Sequence, residues 1–129
     1  VDYCSNCEFP TFPDGLDLEV FTKKSLEIAY KKAVLNTEKE HVTPYIRKHF
    51  TKINYCLEKE DYSDYRFTVD EQKDFELVKI LINNVWSDKH FIEYINYMKK
   101  NNLSINNDIM RNEWFLKSIN EDKNLSNNP

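Results

Sequence analysis

Glycine is almost absent from this chain of 129 residues, which has one glycine, at position 15. Loops that bind a triphosphate through backbone N–H groups need several glycines, because the chain must turn tightly and approach the phosphates closely. No segment of this sequence has that composition. We therefore expect the chain to have no glycine-rich nucleotide-binding loop of its own.

Long apolar runs and an excess of basic charge are also missing. No stretch approaches the length of a membrane-spanning helix, and the first residues do not have the pattern of a signal peptide. The formal net charge is −4 at pH 7, so the composition does not favour nucleic acid as a partner. These absences predict a cytoplasmic protein that binds neither membranes nor nucleic acids.

Cysteine is scarce, and an odd number of three residues argues against a disulfide framework. Cys4 and Cys7 have the spacing of two metal ligands, and Cys56 could supply a third thiolate. A structural zinc site needs a fourth ligand, and a single pair with this spacing is weak evidence for a metal. Whether these thiols bind a metal stays open at the level of sequence.

The most informative segment that is present covers residues 10–21 (PTFPDGLDLEVF). Proline, aspartate and glycine at 13–15 predict a tight turn, because proline presets its φ angle and glycine accepts a positive one. The alternation over 16–21 predicts a strand with Asp17 and Glu19 on one face. Its opposite, buried face would carry three apolar residues, Leu16, Leu18 and Val20. Two carboxylates beside a shaped turn indicate a ligand or metal site, with a solvated strand edge as the alternative.

The remaining patterns alternate between strands and helices, which predicts an α/β fold. Strands are predicted near 1–5, 53–57 and 65–69. Helices are predicted after Thr22, from Thr37 and Pro44, over 71–85 with Asp70 as the N-cap, from Phe91, and over 105–119. The predicted domain covers residues 1–119, and residues 120–129 form a polar tail. The strand-like start at Val1, without methionine, suggests part of a longer protein.

Five segments along nearly the whole chain form a recognisable set. They are DYCSN at 2–6, PTFPDGLDLEVF at 10–21, EHVTPYI at 40–46, FTVDE and DFELV within 67–78, and RNE with LKS within 111–118. Together, and in this order, they resemble the spore-coat polysaccharide biosynthesis type of cytidylyltransferase, which is grouped with the acylneuraminate cytidylyltransferases. The sequence departs from that pattern at Cys4, Cys7, Gln72-Lys73 and Trp114.

The resemblance implies an enzyme that transfers CMP from CTP to a sugar or sugar acid for surface polysaccharide biosynthesis, with Mg²⁺ as its cofactor. It also implies the C-terminal portion of a Rossmann-like three-layer α/β/α nucleotidyltransferase fold. The half that binds CTP has no counterpart here, so this portion alone would be inactive. We expect its sheet to expose an apolar face, which the missing half would have covered. A homodimer stays open, as does the identity of the sugar.

Site residues follow from combining the resemblance with residue chemistry. Asp70 is the candidate Mg²⁺ ligand, because carboxylate oxygens suit this ion, and it is also a candidate N-cap. His41 would orient or deprotonate the attacking hydroxyl, and Arg47 would bind phosphate or carboxylate. His41 could equally be a packed residue at a helix end. Acceptor-sugar binding is assigned to six residues, Ser5, Asn6, Asp14, Gly15, Asp17 and Glu19.

A second hypothesis comes from a different class of protein. The chain could be a non-catalytic α/β module that associates with a partner chain. The two hypotheses differ in what should precede Val1: a strand followed by a basic, glycine-bearing loop favours the enzyme, and an unrelated sequence favours the module.

Overall fold

The computed structural model describes residues 1–57, 59–86, 88–105, 111 and 113–126, with side chains in the last range described for 116–123. These residues form three strands and six helices. The strands are β1 (Tyr3–Ser5), β2 (Glu19–Phe21) and β3 (Lys52–Asn54). The helices are α1 (Lys23–Lys32), α2 (Asn36–Glu40), α3 (Pro44–His49), α4 (Gln72–Asn84), α5 (Phe91–Lys100) and α6 (Glu113–Ser126). The predicted α/β class is therefore correct, whereas a three-layer arrangement remains a prediction.

The chain divides into two compact units. The first comprises Val1–Phe9, Leu18–Cys56 and Met110–Pro129, and the second comprises Pro10–Asp17 and Leu57–Ile109. None of the helices in the described ranges is long and apolar enough to cross a membrane.

The sheet of the first unit has the strand order β2-β1-β3. Its central strand pairs antiparallel with β2 and parallel with β3. Buried Tyr3 of β1 packs with Ala29 of α1 and Ile46 of α3, so one face of the sheet is covered by these two helices. Because Tyr3 lies opposite Phe21 in the register, the odd-numbered positions of β1 and β2 point to this covered face.

The opposite face of the sheet is apolar and exposed. Alternation places on it Leu18 and Val20 from β2 and its approach, and Ile53 and Tyr55 from β3 and its exit. Each of these four side chains is more than half exposed, from 52% for Ile53 to 63% for Leu18. The exposed apolar sheet face predicted from the sequence is therefore present. We call these four residues the open sheet face.

The predicted orientation of the strand over 16–21 was wrong. Val20 is 59% exposed, whereas Glu19 is half-buried on the covered side of the sheet. The cause is the register, because the aromatic pair Tyr3 and Phe21 occupies the face under α1 and α3, and Glu19 shares that face with Phe21.

Helix α1 begins where the sequence predicts. The Thr22 side chain accepts a hydrogen bond from the Ser25 N–H at 3.1 Å, which satisfies one of the free donors of the first turn. Pro44 is the first residue of α3. It leaves one fewer unpaired donor in the first turn, because proline has no N–H.

The second unit packs α4 against α5. Leu77 and Leu81 of α4 and Met98 of α5 form its buried core, with Tyr65 and Phe67 packed against it. Helical spacing in the sequence predicts Phe75, Leu81 and Ile82 on the apolar side of this helix. Leu81 does lie in the core, together with Leu77, whereas Phe75 and Ile82 are about half exposed. The predicted strand over 65–69 is absent, and only a single bridge joins Arg66 to Asp14 there.

Helix α6 continues past residue 120, where the sequence predicts the start of a polar tail. Asp122 in this helix is buried and accepts hydrogen bonds from Thr37 of α2, including one from its N–H at 3.0 Å. The start of α2 is capped by Glu38, which accepts from the N–H groups of Val34 and Leu35, and not by Thr37, where the sequence predicts the helix to begin. Part of the helix predicted over 105–119 lies outside the described residues.

Candidate functional site

The predicted site residues are divided between the two units. Five lie in the first unit: Ser5, Asn6, Glu19, His41 and Arg47. Four lie in the second unit: Asp14, Gly15, Asp17 and Asp70. Each group is described within its own unit.

Glu19 is the centre of a hydrogen-bond network in the first unit. The Thr43 hydroxyl lies 3.0 Å from each of its carboxylate oxygens, and the Tyr3 hydroxyl donates to Oε1. Tyr3 is only 1% exposed, and burial together with this hydrogen bond raises its pKa well above the ordinary range for tyrosine. The carboxylate of Glu19 therefore already has two partners within the fold.

The same network fixes the turn between α2 and α3. Val42 in this turn has a φ of 64°, which is a strained conformation for a β-branched residue. On one side of it, His41 Nε2 lies 3.0 Å from the Ser118 hydroxyl of α6, and on the other Thr43 contacts Glu19. Arg47 follows one turn along α3 and is half-buried. Two predicted catalytic residues thus flank a turn that is held from both sides.

Ser5 and Asn6 end strand β1 and are both buried. The Asn6 Oδ1 atom accepts a hydrogen bond from the Leu18 N–H at 2.7 Å, and the Ser5 hydroxyl lies 3.4 Å from the Cys7 N–H. These contacts join the end of β1 to the approach of β2. The structure therefore shows both side chains stabilising the backbone after the strand.

The turn at 13–15 forms as predicted in the second unit. The Leu16 N–H donates to the Pro13 carbonyl at 3.2 Å, and Gly15 has a φ of 94°. A Cβ atom on Gly15 would lie 2.7 Å from the Thr68 backbone nitrogen, which is closer than real contacts allow. Glycine is required here both by the backbone angle and by the approach of the segment around Thr68.

Arg66 forms ion pairs with three carboxylates in the second unit. Its Nη1 atom donates to Asp14 Oδ2 at 2.6 Å, its Nη2 atom donates to Asp70 Oδ2, and its Nε atom lies 3.5 Å from Asp74 Oδ1. Burial alone would lower the pKa of Arg66, but the neighbouring carboxylates outweigh it and the net shift is upward. We call these four residues the Arg66 cluster, in which one guanidinium group faces three carboxylates.

Asp74 also performs the capping that the sequence analysis assigned to Asp70. Its Oδ2 atom accepts from the Asp70 N–H at 3.1 Å and from the Glu71 N–H at 3.0 Å. Asp70 itself precedes the N-cap residue Glu71 and pairs with Arg66. The prediction of Asp70 as the N-cap is therefore wrong. The spacing of 66, 70 and 74 is visible in the sequence, but the pair with Asp14 joins distant segments and has no local signal.

A magnesium ion at Asp70 would have one protein carboxylate, that of Asp70 itself, as its ligand. Its side chain is 45% exposed, and the Arg66 contact uses its Oδ2 atom. Within the described ranges, no group of three or more His, Cys, Asp or Glu side chains is arranged to hold a metal ion. Mg²⁺ commonly uses one or two protein carboxylates with substrate phosphates and water completing its shell, so a single exposed carboxylate is compatible with this chemistry.

The cysteines and Asp17 complete the set of predicted residues. Cys4, Cys7 and Cys56 form no disulfide bond. The Cys7 Sγ atom lies 3.4 Å from Asn6 Oδ1, a contact within the turn that follows β1. Asp17 lies outside the strands, between the turn at Gly15 and β2, and is exposed.

A solved structure shares this architecture. The match covers 85% of this chain, with a TM-score of 0.75 and 32% sequence identity. That structure is a cytidylyltransferase. It comes from Leptospira borgpetersenii serovar Hardjo-bovis, and the mixed α/β arrangement described above therefore fits a nucleotidyltransferase fold.

The chain is shorter than the proteins it resembles. It covers 48% of the Leptospira cytidylyltransferase chain. An uncharacterized protein of Methanocaldococcus jannaschii is 44% identical over 68 residues, which are 49% of this chain and 28% of that protein. No protein-family model matches the chain. This chain therefore spans less than half the length of each relative.

Proposed function

We propose that this chain is part of a cytidylyltransferase that transfers CMP from CTP to a sugar or sugar acid for surface polysaccharide biosynthesis. The observation that carries the proposal is the match to the Leptospira cytidylyltransferase, because it combines a TM-score of 0.75 with 32% identity over 85% of the chain. Sequence identity at this level over a shared fold supports a shared reaction type more strongly than the fold alone would.

In this proposal, Asp70 is the Mg²⁺ ligand that the chain contributes. The bound ion would neutralise charge that develops on the phosphate oxygens as pyrophosphate leaves. Arg66 holds the Asp70 side chain through one oxygen atom, while Asp14 and Asp74 hold Arg66 in turn. One guanidinium carries a single positive charge against three carboxylates, so it orients the Asp70 side chain without neutralising the whole cluster.

The acceptor sugar is assigned to the turn at 13–15 and to Asp17. Gly15 permits the turn, and exposed Asp17 directly after it can accept hydrogen bonds from sugar hydroxyls. In the first unit, Ser5, Asn6 and Glu19 are proposed to support acceptor binding through the backbone and side chains that they contact there. His41 and Arg47 are proposed to act on the attacking hydroxyl and on an anionic group of the substrate.

We place the CTP site in the part of such an enzyme that lies outside the match. The single glycine of this chain is engaged in the turn beside Thr68, so the described residues offer no glycine-rich cradle for a triphosphate. We propose that this chain supplies the residues that bind the acceptor sugar and one metal ligand.

The experiment is to express the complete reading frame that contains this sequence and to follow pyrophosphate release with CTP, Mg²⁺ and a panel of sugars and sugar acids. The proposal expects release that depends on CTP over the other nucleoside triphosphates and on one class of acceptor. Absence of release with every acceptor, from a folded protein that also fails to bind CTP, would overturn it.

The second candidate function is a non-catalytic α/β module that binds a partner chain. The observation that favours it is the open sheet face, where Leu18, Val20, Ile53 and Tyr55 are each more than half exposed. The same expression experiment separates the two, because this alternative expects a stable complex with a partner and no nucleotide turnover.

A further inference from the structure

A cavity of about 450 Å³ lies in the second unit, between α4 and the start of α5. This volume is within the range of small-molecule sites, which extends from about 300 to 1,000 Å³. Its walls are apolar and aromatic, and they include Phe67, Val78, Leu81, Ile82, Phe91 and Tyr94. None of the residues assigned to nucleotidyl transfer lines it.

The walls of this cavity are held by contacts within the unit. Phe67 and Tyr94 meet edge to face with ring centroids 6.2 Å apart, and the Tyr94 hydroxyl donates to the Trp86 carbonyl at 3.0 Å. Phe91 is packed edge to face against Tyr62 at 5.5 Å and Phe12 at 6.0 Å. Because Tyr94 and Phe91 are held by partners outside the cavity, and Phe67 packs on Tyr94, the space is formed before any ligand enters.

The charge at the cavity is of one sign. Lys89 and His90 are the basic side chains among the described residues that line it, and both are exposed. No acidic residue is among them. The His90 Nδ1 atom accepts a hydrogen bond from the Ile92 N–H at 3.4 Å, so in the neutral ring the proton is on Nε2. Both side chains therefore present donors beside an apolar space.

We propose that this cavity binds a small molecule with an apolar body and one carboxylate head group. The apolar body would replace water against Phe67, Leu81 and Tyr94, which is favourable in proportion to the apolar area removed from water. The carboxylate would accept hydrogen bonds from Lys89 and His90 at the mouth. The inference is independent of the proposed nucleotidyl transfer, because it uses a different set of residues.

The probe is sodium octanoate, titrated into the ¹⁵N-labelled 129-residue chain and followed by amide chemical shifts, with 1-octanol as the uncharged counterpart. The proposal expects saturable shifts concentrated on the lining segments of α4 and α5, and weaker binding of octanol than of octanoate. Octanol that binds as tightly as octanoate would overturn the role of the two basic residues. Shifts confined to the open sheet face would overturn the site.

Variants test the two halves of the proposal separately. Lys89→Gln with His90→Asn removes the Lys89 charge and the donor of the His90 ring and keeps a good N-cap for α5. Octanoate affinity should therefore fall about fivefold, as expected for an exposed ion pair, while octanol affinity stays unchanged. The matched control is Lys79→Gln, which removes one exposed positive charge from α4 outside the cavity lining and should leave both affinities unchanged.

Val78→Phe is designed to fill the cavity without adding charge. It should abolish binding of octanoate and octanol together and leave the thermal unfolding midpoint equal or higher, because the added ring occupies existing space. Unchanged octanoate binding by a folded Val78→Phe chain would show that the ligand lies elsewhere and would overturn the proposal.

Discussion

Arg66 donates a hydrogen bond from Nη1 to Asp14 Oδ2 at 2.6 Å, joining residues that are 52 positions apart in the sequence. Both side chains are nearly buried, with exposures of 7% and 12%. The contact attaches the turn at Gly15 to the segment that leads into α4. It thereby makes the geometry of the proposed acceptor turn depend on the same arginine that holds Asp70.

Replacing Arg66 should destabilise the chain strongly. Arg66→Ala leaves the buried carboxylates of Asp14 and Asp74 without their cation, and breaking a buried ion pair in this way costs about 3–5 kcal/mol. Urea unfolding measures the change. The control is Lys23→Ala, which breaks an exposed pair with Glu27 at 3.6 Å and should cost no more than about 0.5 kcal/mol. Equal effects of the two variants would show that the Arg66 cluster contributes no more than a surface pair.

Asp122 should make the stability of the first unit depend on pH. The Thr37 hydroxyl donates to its carboxylate and holds the pKa of Asp122 below its ordinary value. Because the folded-state pKa is the lower one, the carboxylate stabilises the fold above a pH of about 4, and this contribution is lost as the pH falls through the folded-state pKa. The stability difference between the parent chain and Asp122→Asn should therefore be largest near neutral pH and shrink in acid.

Urea unfolding of both chains over that pH range measures the difference. Glu121→Gln is the matched control, since Glu121 is the exposed neighbour on the same helix. A difference for Asp122→Asn that stays constant from neutral pH into acid would contradict the assigned role of the Thr37–Asp122 contact.

Glu19 and Asp17 should behave differently from each other, although the sequence analysis grouped them. Glu19→Ala leaves the Tyr3 hydroxyl buried without its acceptor, which costs about 1–3 kcal/mol of folding free energy. Asp17→Ala removes an exposed side chain and should change stability by less than about 0.5 kcal/mol. In the complete enzyme, Asp17→Ala should weaken kcat/KM for the sugar several-fold and leave CTP binding, measured by calorimetry, near its original value. A loss of CTP affinity with unchanged sugar kinetics would place the acceptor region elsewhere.

The open sheet face should bind the hydrophobic dye ANS. Val20 and Ile53 lie in register on either side of Cys4, so the double variant Val20→Thr with Ile53→Thr removes apolar surface from the middle of this face and keeps β-branched side chains for the strands. We expect dye fluorescence to fall in this variant and to change little in Tyr30→Thr, which removes a single exposed ring from α1. A parent chain that is monomeric and binds no dye would contradict the exposure of this face.

Local rules predicted the helices better than the strands. The helix starts at Thr22 and Pro44 depend on caps formed by near neighbours, which the sequence displays directly. The face of β2 depends on its register with β1, and Tyr3 and Phe21 decide it from 18 positions apart. The two-residue alternation of a strand does not show which face is buried when both faces carry apolar residues, as Val20 and Phe21 do here.

In the candidate site, too, features set by neighbouring residues were predicted and features set by distant residues were not. The turn at 13–15 was predicted because proline and glycine carry their own backbone preferences. The role of Arg66 was missed, since its ion pair with Asp14 joins distant segments and is not visible in local spacing. Asp70 was assigned to the cap because it precedes an apolar period, but Asp74 caps the backbone from inside the helix, in the manner of the acidic residue of a capping box.

The most direct measurement of the central claim is single-turnover CMP transfer by the complete enzyme and its Asp70→Asn variant across a Mg²⁺ titration. Asparagine can still accept a hydrogen bond from Arg66 but brings no charge to the metal, so the fold should persist, as checked by urea unfolding. Asp64→Asn, in the exposed loop before Arg66, is the matched control. The account predicts that CMP transfer is abolished in Asp70→Asn and unaffected in Asp64→Asn. An unchanged rate and an unchanged Mg²⁺ dependence in Asp70→Asn would contradict it.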